Sequence, residues 1–400
     1  MPETALDGLN ILEYSQMISG PYCGKLLADL GAEVIKVEHP PAGDPARTRG
    51  PFPDDLPHPE KSGLFLYLNT NKLGITLNPR TATGRQLFQR LAEQADVLIE
   101  DRPPREMADL GLDYASLSAV NPRLIVTSIT PFGQTGPYRD YKSYHLNLYH
   151  ASGHSSFFYV APKEKRNEPP VVAGGQVGDY DGGLTAAVAI LAALFSRLAT
   201  DQGQHIDISK FEALLALERV VVARFANTPE PPAWPGMVGG LVPSKDEHVV
   251  ITAVQNHQWQ ALMELMGNPA WSQDENCRDE TTRSQHRDEI QPLLEEWMAQ
   301  HPKEELYHKG QALGVPIGPV RTAAEIANWP QARERGFFAH LDHPQAGGLE
   351  YPTVAYKMSE TPWRGERAAP LLGEHNERIY CGRLGYSAEQ MASMAAEGAI

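Results

Sequence analysis

Residues 8–38, GLNILEYSQMISGPYCGKLLADLGAEVIKVE, contain the pattern that decides the fold. Branched and apolar residues fill GLNILEY and AEVIKVE, which is typical of two strands buried in a sheet. Between them, SQMISGP has the composition of a turn, and YCGKLLADLG has the apolar spacing of a helix that ends at Gly31. The stretch therefore predicts a strand, helix and strand unit whose two strands run parallel.

The same alternation of strand and helix patterns continues beyond residue 38. LGITLN, DVLIED and RLIVTSITPF are predicted as strands, and TATGRQLFQRLAEQA as a helix. Such repetition predicts an α/β fold, with a parallel sheet covered by helices. Apolar helices are predicted over residues 183–200 and 209–228. The Pro-rich segment NTPEPPAWPGMVGGLVP, residues 227–243, marks a candidate domain boundary.

Composition restricts the class of protein. The chain has 400 residues, 42% of them hydrophobic, which suits two packed domains or one elaborated domain. A formal net charge of -15 argues against broad contact with nucleic acid or an anionic membrane. The N-terminal segment lacks a secretory pattern, and the longest apolar run, Leu184 to Phe195, is shorter than a membrane span. We therefore expect a cytoplasmic protein without a membrane or nucleic-acid partner.

Two common types of site lack support in the sequence. The turn SQMISGPYCG lacks the G-x-G-x-x-G glycines, so a nicotinamide dinucleotide is not expected, although Glu38 ends the second strand. Three histidines, His145, His150 and His154, lie close together, but no nearby acid or cysteine completes a metal site. Histidines that form hydrogen bonds in a pocket explain this group better.

The stretch GGQVGDYDGG, residues 174–183, places two acids between glycines, ahead of an apolar helix pattern. Asp179 stands where this helix is expected to begin, so its carboxylate could cap the helix by accepting backbone N–H groups. The same partial positive charge would keep the carboxylate ionised, as a nucleophile must be, and the glycines would let a bulky substrate approach. Both interpretations stay open on local sequence. Asp181, two residues later, is expected to point away.

Several motifs, in order along the chain, resemble those of class III CoA-transferases. This family includes formyl-CoA transferase, crotonobetainyl-CoA:carnitine CoA-transferase and α-methylacyl-CoA racemase. The matching segments are LDGLNILEYSQMISGPYCGKLLADLGAEVIKVEHPPAGDPAR, LNTNKLGITLN, DVLIEDRPP, SITPFGQTGPY, GDYDGGLTAAVAILAAL, GQHIDIS and GVPIGPVRTAAEIANWPQARERGFF. Because they span nearly the whole chain, the resemblance is more specific than any single motif.

The resemblance implies a covalent mechanism through Asp179. In the family, the corresponding aspartate attacks an acyl-CoA thioester, giving an aspartyl mixed anhydride and CoA thiolate. An acceptor carboxylate then displaces the donor acid, and CoA thiolate attacks the new anhydride to release the acceptor as its thioester. The implied substrates are therefore an acyl-CoA and a small carboxylic acid. Coenzyme A is implied as a substrate and not as a tightly bound cofactor, and no metal, nicotinamide or flavin is implied.

The resemblance also implies residues for coenzyme A: Met17, Ile18, Ser19, His39, Lys72, Asp101, Arg102 and Lys142. Residues 17–19 match the loop that lines the thioester, where backbone N–H groups can stabilise an oxyanion. Lys72 and Lys142 are the expected cationic contacts to phosphate. His39 and Arg102 stand where the family usually has a basic and an aromatic residue, so the residue that stacks on adenine is left open.

The residues implied for the substrate acids are Tyr144, His145, Gly239 and Gly240. Racemases of the family have a histidine at the position of Tyr144, so a tyrosine there favours a transferase. His145, the next residue, keeps α-methylacyl-CoA racemase or an acyl-CoA isomerase as the alternative, and it could also pair with an acceptor carboxylate. Gly239 and Gly240 fall near the mobile glycine loop that covers the anhydride in the family.

Domain organisation and assembly are also implied by the resemblance. Residues 1–224 and 331–400 are expected to form a large Rossmann-like domain that binds coenzyme A. A smaller α+β domain is expected over residues 225–330. Family members form interlocked homodimers in which each chain threads through the other, and the separated terminal segments of this chain are compatible with that arrangement.

Overall fold

A computed structural model describes residues 4–155, 170–217, 222–223, 226–227 and 236–400. The chain divides into two compact units, Met1–Arg224 with Gly336–Ile400, and Phe225–Arg335. Each unit has its own hydrophobic core. Parts of the helix expected over residues 209–228, and residues 228–235 of the Pro-rich boundary segment, lie outside the described residues.

The first unit is built on a six-stranded parallel sheet, which confirms the predicted α/β class. Its strands are β1 (Asn10–Tyr14), β2 (Glu33–Glu38), β3 (Lys72–Thr76), β4 (Val97–Glu100), β5 (Ile125–Thr130) and β6 (His205–Ser209). The spatial order is β3-β2-β1-β4-β5-β6, so the direction in which strands are added reverses between β1 and β4. In doubly wound sheets, ligands bind beyond the carboxyl ends of the strands at this reversal.

Core clusters lie on both faces of the sheet, and β1 to β5 are almost entirely buried. Successive side chains point to opposite faces. Ile11 packs in one core cluster with Ile99, whereas its neighbour Leu12 packs in another with Leu98. Ile400 also belongs to the cluster of Leu12, so the two ends of the chain share one core.

Helices cover the two faces. The described helices of this unit before residue 218 are α1 (Ser19–Asp29), α2 (Gly63–Leu68), α3 (Ala82–Glu93), α4 (Glu106–Asp109), α5 (Tyr114–Ser118), α6 (His145–Ala151), α7 (Val177–Thr200) and α8 (Lys210–Leu217), with short 3₁₀ turns at Pro45–Thr48 and Pro53–Asp55. Helices α1 and α7 pack closely. A Cβ atom at Gly183 would lie 2.4 Å from the backbone oxygen of Ser19, so only glycine permits this approach.

Helix α7 is longer than the sequence analysis expected. It has 24 residues, because residues 177–182, which include Asp179 and Asp181, form its first turns, and by length and composition alone it could cross a membrane. A core helix passes the same test. In this protein Ala186, Ala187 and Ile190 of α7 are buried in the core cluster that also contains Ile11.

The second unit contains a three-stranded antiparallel sheet with β8 at its centre. Its strands are β7 (Gly240–Pro243), β8 (His248–Ile251) and β9 (Ile317–Pro319). Its described helices are α9 (Asn256–Leu265), α10 (Glu280–Gln285), α11 (Arg287–Met298), α12 (Lys303–Ala312), α13 (Ala323–Ala327) and α14 (Pro330–Glu334), with 3₁₀ turns at Ala270–Gln273 and Glu275–Cys277. Trp259 and Leu294 lie in the core of this unit.

The C-terminal segment returns to the first unit. It contains an antiparallel hairpin of β10 (Phe338–His343) and β11 (Gly347–Pro352), a π-helix (Glu377–Arg383) and α15 (Ala388–Ala396). The hydroxyl of Tyr380 donates a hydrogen bond of 2.7 Å to the carbonyl oxygen of Thr76 at the end of β3. This contact joins the C-terminal segment to an edge strand of the parallel sheet.

Candidate active site

The loops that follow β1 and β4 meet at the strand reversal. The backbone N–H of Gln16 donates a hydrogen bond of 2.8 Å to the carboxylate of Asp101. The structure therefore brings residues 17–19 and the pair Asp101 and Arg102 into one region, at the sheet edge where doubly wound proteins bind ligands.

An aspartate holds the first of these loops in its shape. Met17 has a φ of 62°, in the left-handed region, and its N–H donates to Oδ1 of Asp44 over 3.0 Å. Lys36 forms an ion pair of 2.9 Å with the other oxygen of Asp44. Burial alone would raise the pKa of Asp44, but Lys36 and the backbone donors Ala46 and Met17 outweigh it and hold this pKa below its usual range. Asp44 is therefore ionised and positions Met17.

Asp179 lies in the first turn of α7, but it is not the residue that caps the helix. The cap position is Gln176, in the left-handed region at φ 57°, and Asp179 donates its own N–H to the carbonyl oxygen of Gln176 over 2.9 Å. The capping interpretation was therefore wrong. The helix begins earlier because its first turn packs on α8, where a Cβ at Gly178 would lie 2.7 Å from Leu214.

Two side chains from other elements contact the carboxylate of Asp179. Lys210 Nζ forms an ion pair of 2.7 Å with Oδ1, and Ser19 Oγ donates to the same oxygen over 3.4 Å. Both members of the ion pair are largely buried, with side-chain exposures of 16% for Lys210 and 12% for Asp179. The carboxylate is therefore held as an anion close to the loop of residues 17–19.

Sequence reasoning missed Lys210. It directly follows β6, at the carboxyl end of a parallel strand, where the ligand-binding edge of such sheets lies. Its position directly after a strand was the feature of the sequence that could have pointed to Lys210. Its partner Asp179 is 31 residues away in the chain, so no local pattern connects the two.

Asp181 has a different environment from Asp179. It is half-buried, and its Oδ2 has no hydrogen-bond partner among the described residues. Burial raises the pKa of Asp181, and His154 lowers it in part. The two acids of the motif therefore differ, since only Asp179 is among the ion pairs of the described residues.

Lys72 does not have the environment expected of a phosphate contact. Its side chain is fully buried, and its ammonium donates to the carbonyl oxygen of Pro21 (2.7 Å) and to Asn69 (2.9 Å) while pairing with Glu13 at 2.7 Å. These three partners surround the ammonium inside the protein. This corrects the expectation from the sequence, because a phosphate could reach Lys72 only by displacing a buried partner.

Arg102 is paired with its neighbour Asp101, and its guanidinium lies 5.0 Å from the ring centroid of Tyr14. Burial would lower the pKa of Arg102, but Asp101 outweighs it and raises this pKa. Arg102 is therefore a fixed cation at the sheet reversal. Lys142 and His39 are exposed, so either can contact a ligand without displacing a buried partner.

Tyr144 and His145 stand at the start of α6. Tyr144 is 78% exposed, whereas His145 is half-buried, with its ring centroid 5.7 Å from that of Tyr149. The ring nitrogens of His145 have no hydrogen-bond partner among the described residues, so His145 makes no hydrogen bond to Asp179 within them.

Gly239 and Gly240 lie in the second unit, at the start of β7. Both have positive φ angles, 107° and 71°, and the N–H of Gly239 donates to the side chain of Gln291 over 2.8 Å. Gly240 pairs with Ile251 as the first residue of the strand. The pair is therefore anchored to a sheet and to a buried glutamine.

The parallel sheet and the buried carboxylate beyond its carboxyl edge define an α/β protein with a candidate covalent site. The chain matches the family model described as CoA-transferase family III over residues 6–376, and it belongs to this family of enzymes. The resemblance read from the motifs is thereby confirmed, as is the expectation that the protein is an enzyme.

Curated relatives match along nearly their full length. A formyl-CoA:oxalate CoA-transferase of Streptomyces avermitilis is 33% identical, with 99% of each chain covered. A succinate–glutarate CoA-transferase of Agrobacterium fabrum is 33% identical, with 94% of each chain covered. The crystal structure of a CAIB/BAIF family protein from Brucella suis superimposes with a TM-score of 0.84 at 32% identity, covering 95% of this chain and 99% of that one.

Proposed function

We propose that this protein is an acyl-CoA:carboxylate CoA-transferase with Asp179 as its covalent nucleophile. The observation that carries the proposal is the position of the Asp179 carboxylate. It lies in the first turn of a long helix, paired with Lys210 at 2.7 Å and beside the loop of residues 17–19. The helix dipole and the ammonium both favour the ionised carboxylate that nucleophilic attack requires.

The reaction moves CoA from the donor acid to the acceptor acid through two anhydrides. Asp179 attacks the thioester carbonyl, the carbon–sulfur bond breaks, and CoA leaves as a thiolate. The acceptor carboxylate attacks the aspartyl carbon, which releases the donor acid and forms a second anhydride. CoA thiolate then attacks the acceptor carbonyl, which yields the new thioester and restores the Asp179 carboxylate. The thioester energy is kept only if water is excluded, which fits the buried position of Asp179.

For coenzyme A, we propose the region around the strand reversal. Backbone N–H groups of Ile18 and Ser19 would face the thioester oxygen, since that of Met17 is bound to Asp44, and Arg102 and Lys142 would supply positive charge to the phosphates. His39 is exposed and directly follows β2, the strand next to β1 in the sheet. We propose a small dicarboxylic acid as one substrate, since the relatives' names include oxalate, succinate and glutarate. Tyr144 and His145 are the candidates for its contacts in the first unit, and Gly239 and Gly240 are candidates on the family resemblance alone.

We also propose that the first unit is a Rossmann-like domain, and that the protein is a cytoplasmic homodimer. Helix α7 supports the dimer. Its outer face carries an exposed apolar stripe, defined here as Leu184, Val188, Phe195 and Leu198, which a second copy would bury. In a closed two-fold dimer, one interface buries the stripes of both chains.

The test of the nucleophile uses Asp179→Asn and the matched variant Asp181→Asn. After mixing with a panel of acyl-CoAs, intact-mass analysis should show an acyl adduct on the wild type that hydroxylamine removes. Asp179→Asn should show no adduct and lose activity on the order of 10⁴-fold or more. Asp181→Asn should lose only a few-fold, because Asp181 is not part of the ion pair that holds Asp179.

Equal losses in both variants would contradict the assignment of the nucleophile. Coenzyme A binding by calorimetry, retained in both variants, shows that the fold is intact. A wild type that forms no adduct but exchanges the proton next to the thioester with heavy water would instead be a racemase or isomerase.

A further inference from the structure

We propose that Lys210 is a catalytic residue that gives the two oxygens of Asp179 different roles and stabilises the oxyanion formed when the aspartyl carbonyl is attacked. The inference rests on the proposed function, because it takes Asp179 as the residue that is acylated. Lys210 belongs to none of the motifs by which the family was first identified from sequence.

The contacts of Asp179 are one-sided. Lys210 Nζ at 2.7 Å and Ser19 Oγ at 3.4 Å both face Oδ1. The lone pairs of Oδ1 are therefore engaged by donors, and Oδ2 is the oxygen left to attack the thioester. A carboxylate with one oxygen held in place also loses less orientational freedom when it reacts.

The charge on Oδ1 changes during the reaction. After Oδ2 has attacked the thioester, Oδ1 is the carbonyl oxygen of the aspartyl half of the anhydride. When the acceptor carboxylate attacks the Asp179 carbon, the electron pair of that carbonyl bond moves onto Oδ1. It returns when the donor carboxylate leaves. Lys210 already lies at hydrogen-bond distance from Oδ1, so its ammonium stabilises this charge without a rearrangement.

The surroundings of Lys210 fit this placement. A Cβ atom at Gly182 would lie 3.0 Å from Cγ of Lys210, so α7 has no side chain where the lysine stem passes. The ammonium reaches Asp179 from the start of α8 and is largely shielded from solvent. Shielding strengthens the interaction between an ammonium and an oxyanion, because the local dielectric constant is lower than that of water.

Hydroxylamine trapping distinguishes the two carbonyl groups of the anhydride. Attack on the aspartyl carbon leaves a hydroxamate on Asp179, whereas attack on the acyl carbon releases an acyl hydroxamate and restores the carboxylate. With the wild type we expect the hydroxamate on Asp179. In Lys210→Met we expect the product to shift to free acyl hydroxamate, because the oxyanion on Oδ1 has lost its cation.

Rates provide the second readout. Transfer to the acceptor acid should fall about 100-fold in Lys210→Met, the usual effect of removing one oxyanion donor. Formation of the acyl adduct, in which charge develops on the substrate oxygen, should change less than about tenfold. Lys210→Arg should restore part of the loss, and Gly182→Ala should shift the hydroxamate ratio weakly in the same direction. Lys309→Met, an exposed lysine of the second unit, should change neither readout.

An unchanged hydroxamate ratio in Lys210→Met would overturn the inference, as would equal losses of acylation and transfer, which would mean that Lys210 only orients Asp179. Thermal unfolding of each variant excludes a loss of fold as the cause. If the wild type forms no acyl adduct with any donor, the proposed function itself fails, and this inference fails with it.

Discussion

Charged side chains at the carboxyl ends of the parallel strands define the chemistry of the candidate site at the scale of single residues. Lys210 follows β6, and Glu100 is the last residue of β4, directly before Asp101 and Arg102. Glu100 is 2% exposed and accepts the N–H of Arg102 over 2.7 Å. Burial raises the pKa of Glu100 to about 7, although Ser128 and the N–H of Arg102 oppose it. Glu100 therefore titrates near neutral pH.

Glu100→Gln should change how stability depends on pH. In the folded protein the pKa of Glu100 is about 7, against 4.5 for the ordinary group, so only the folded state keeps the proton between these values. Stability from this group is thus present below pH 4.5 and is lost as pH rises through 7. Glu100→Gln lacks this loss, so chemical denaturation at alkaline pH should show it more stable by up to about 3 kcal/mol.

The exposed Glu264→Gln serves as the control, and its stability should follow the wild type at every pH. A parallel pH dependence of wild type and Glu100→Gln would contradict the assignment of Glu100 as the titrating group.

At the scale of elements, a buried cluster of charges joins the first three strands. Glu13 of β1 pairs with Lys36 of β2 at 3.1 Å and with Lys72 of β3 at 2.7 Å, and Lys36 also pairs with Asp44. Burial lowers the pKa of Lys72 to about 8, although Glu13 raises it in part. Since Asp44 also holds Met17, the cluster links the strand packing to the loop of the candidate site.

Lys72→Met should lower stability and keep coenzyme A affinity, whereas Lys142→Met should keep stability and lower the affinity. Lys72→Met leaves the buried carboxylate of Glu13 with one cation less, so we expect the free energy of unfolding to fall by about 3–5 kcal/mol. In the fraction that stays folded, coenzyme A affinity should be close to that of the wild type. Lys142→Met, on the exposed side, should keep its stability and lose affinity, measured by calorimetry at two salt concentrations.

A large loss of coenzyme A affinity in fully folded Lys72→Met would make Lys72 a phosphate contact again, as the family resemblance implied. No loss in Lys142→Met would remove that lysine from the proposed site.

At the scale of the whole molecule, the apolar stripe of α7 is exposed among the residues that the structure describes. Phe195 and Leu198 are 78% and 84% exposed, while the opposite face of the same helix is buried at Ile190 and Ala193. A helix with apolar residues on both sides needs a partner on each side. The parallel sheet and α1 provide one of them.

Phe195→Asp combined with Leu198→Asp should weaken the proposed dimer. Analytical ultracentrifugation of the wild type should give twice the mass of one chain, and the double variant should give a monomer or a fast equilibrium, because two charges would be buried at the interface. Val120→Asp, at an exposed apolar residue outside the stripe, is the control and should remain dimeric. A monomeric wild type would refute the homodimer.

The expected elements and the observed ones agree best where local pattern dominates. The strands predicted in GLNILEY, AEVIKVE and DVLIED are β1, β2 and β4, since their apolar and branched residues are typical of buried parallel strands. Helix starts agree less well. Helix α1 begins at Ser19 and α7 at Val177, both ahead of their apolar runs, because their first turns pack on neighbouring elements.

The sequence by itself determined the α/β class and the family, since both depend on the order of motifs along the chain. It also singled out the stretch that contains Asp179, because its glycines and acids are contiguous. Only the tertiary structure decided which groups surround that carboxylate. Lys210 and Ser19 reach Asp179 from other elements, and Lys72 turns inward to Glu13. The physical reason is that ion pairing and burial depend on distances between residues far apart in the chain, which periodicity along one segment does not encode.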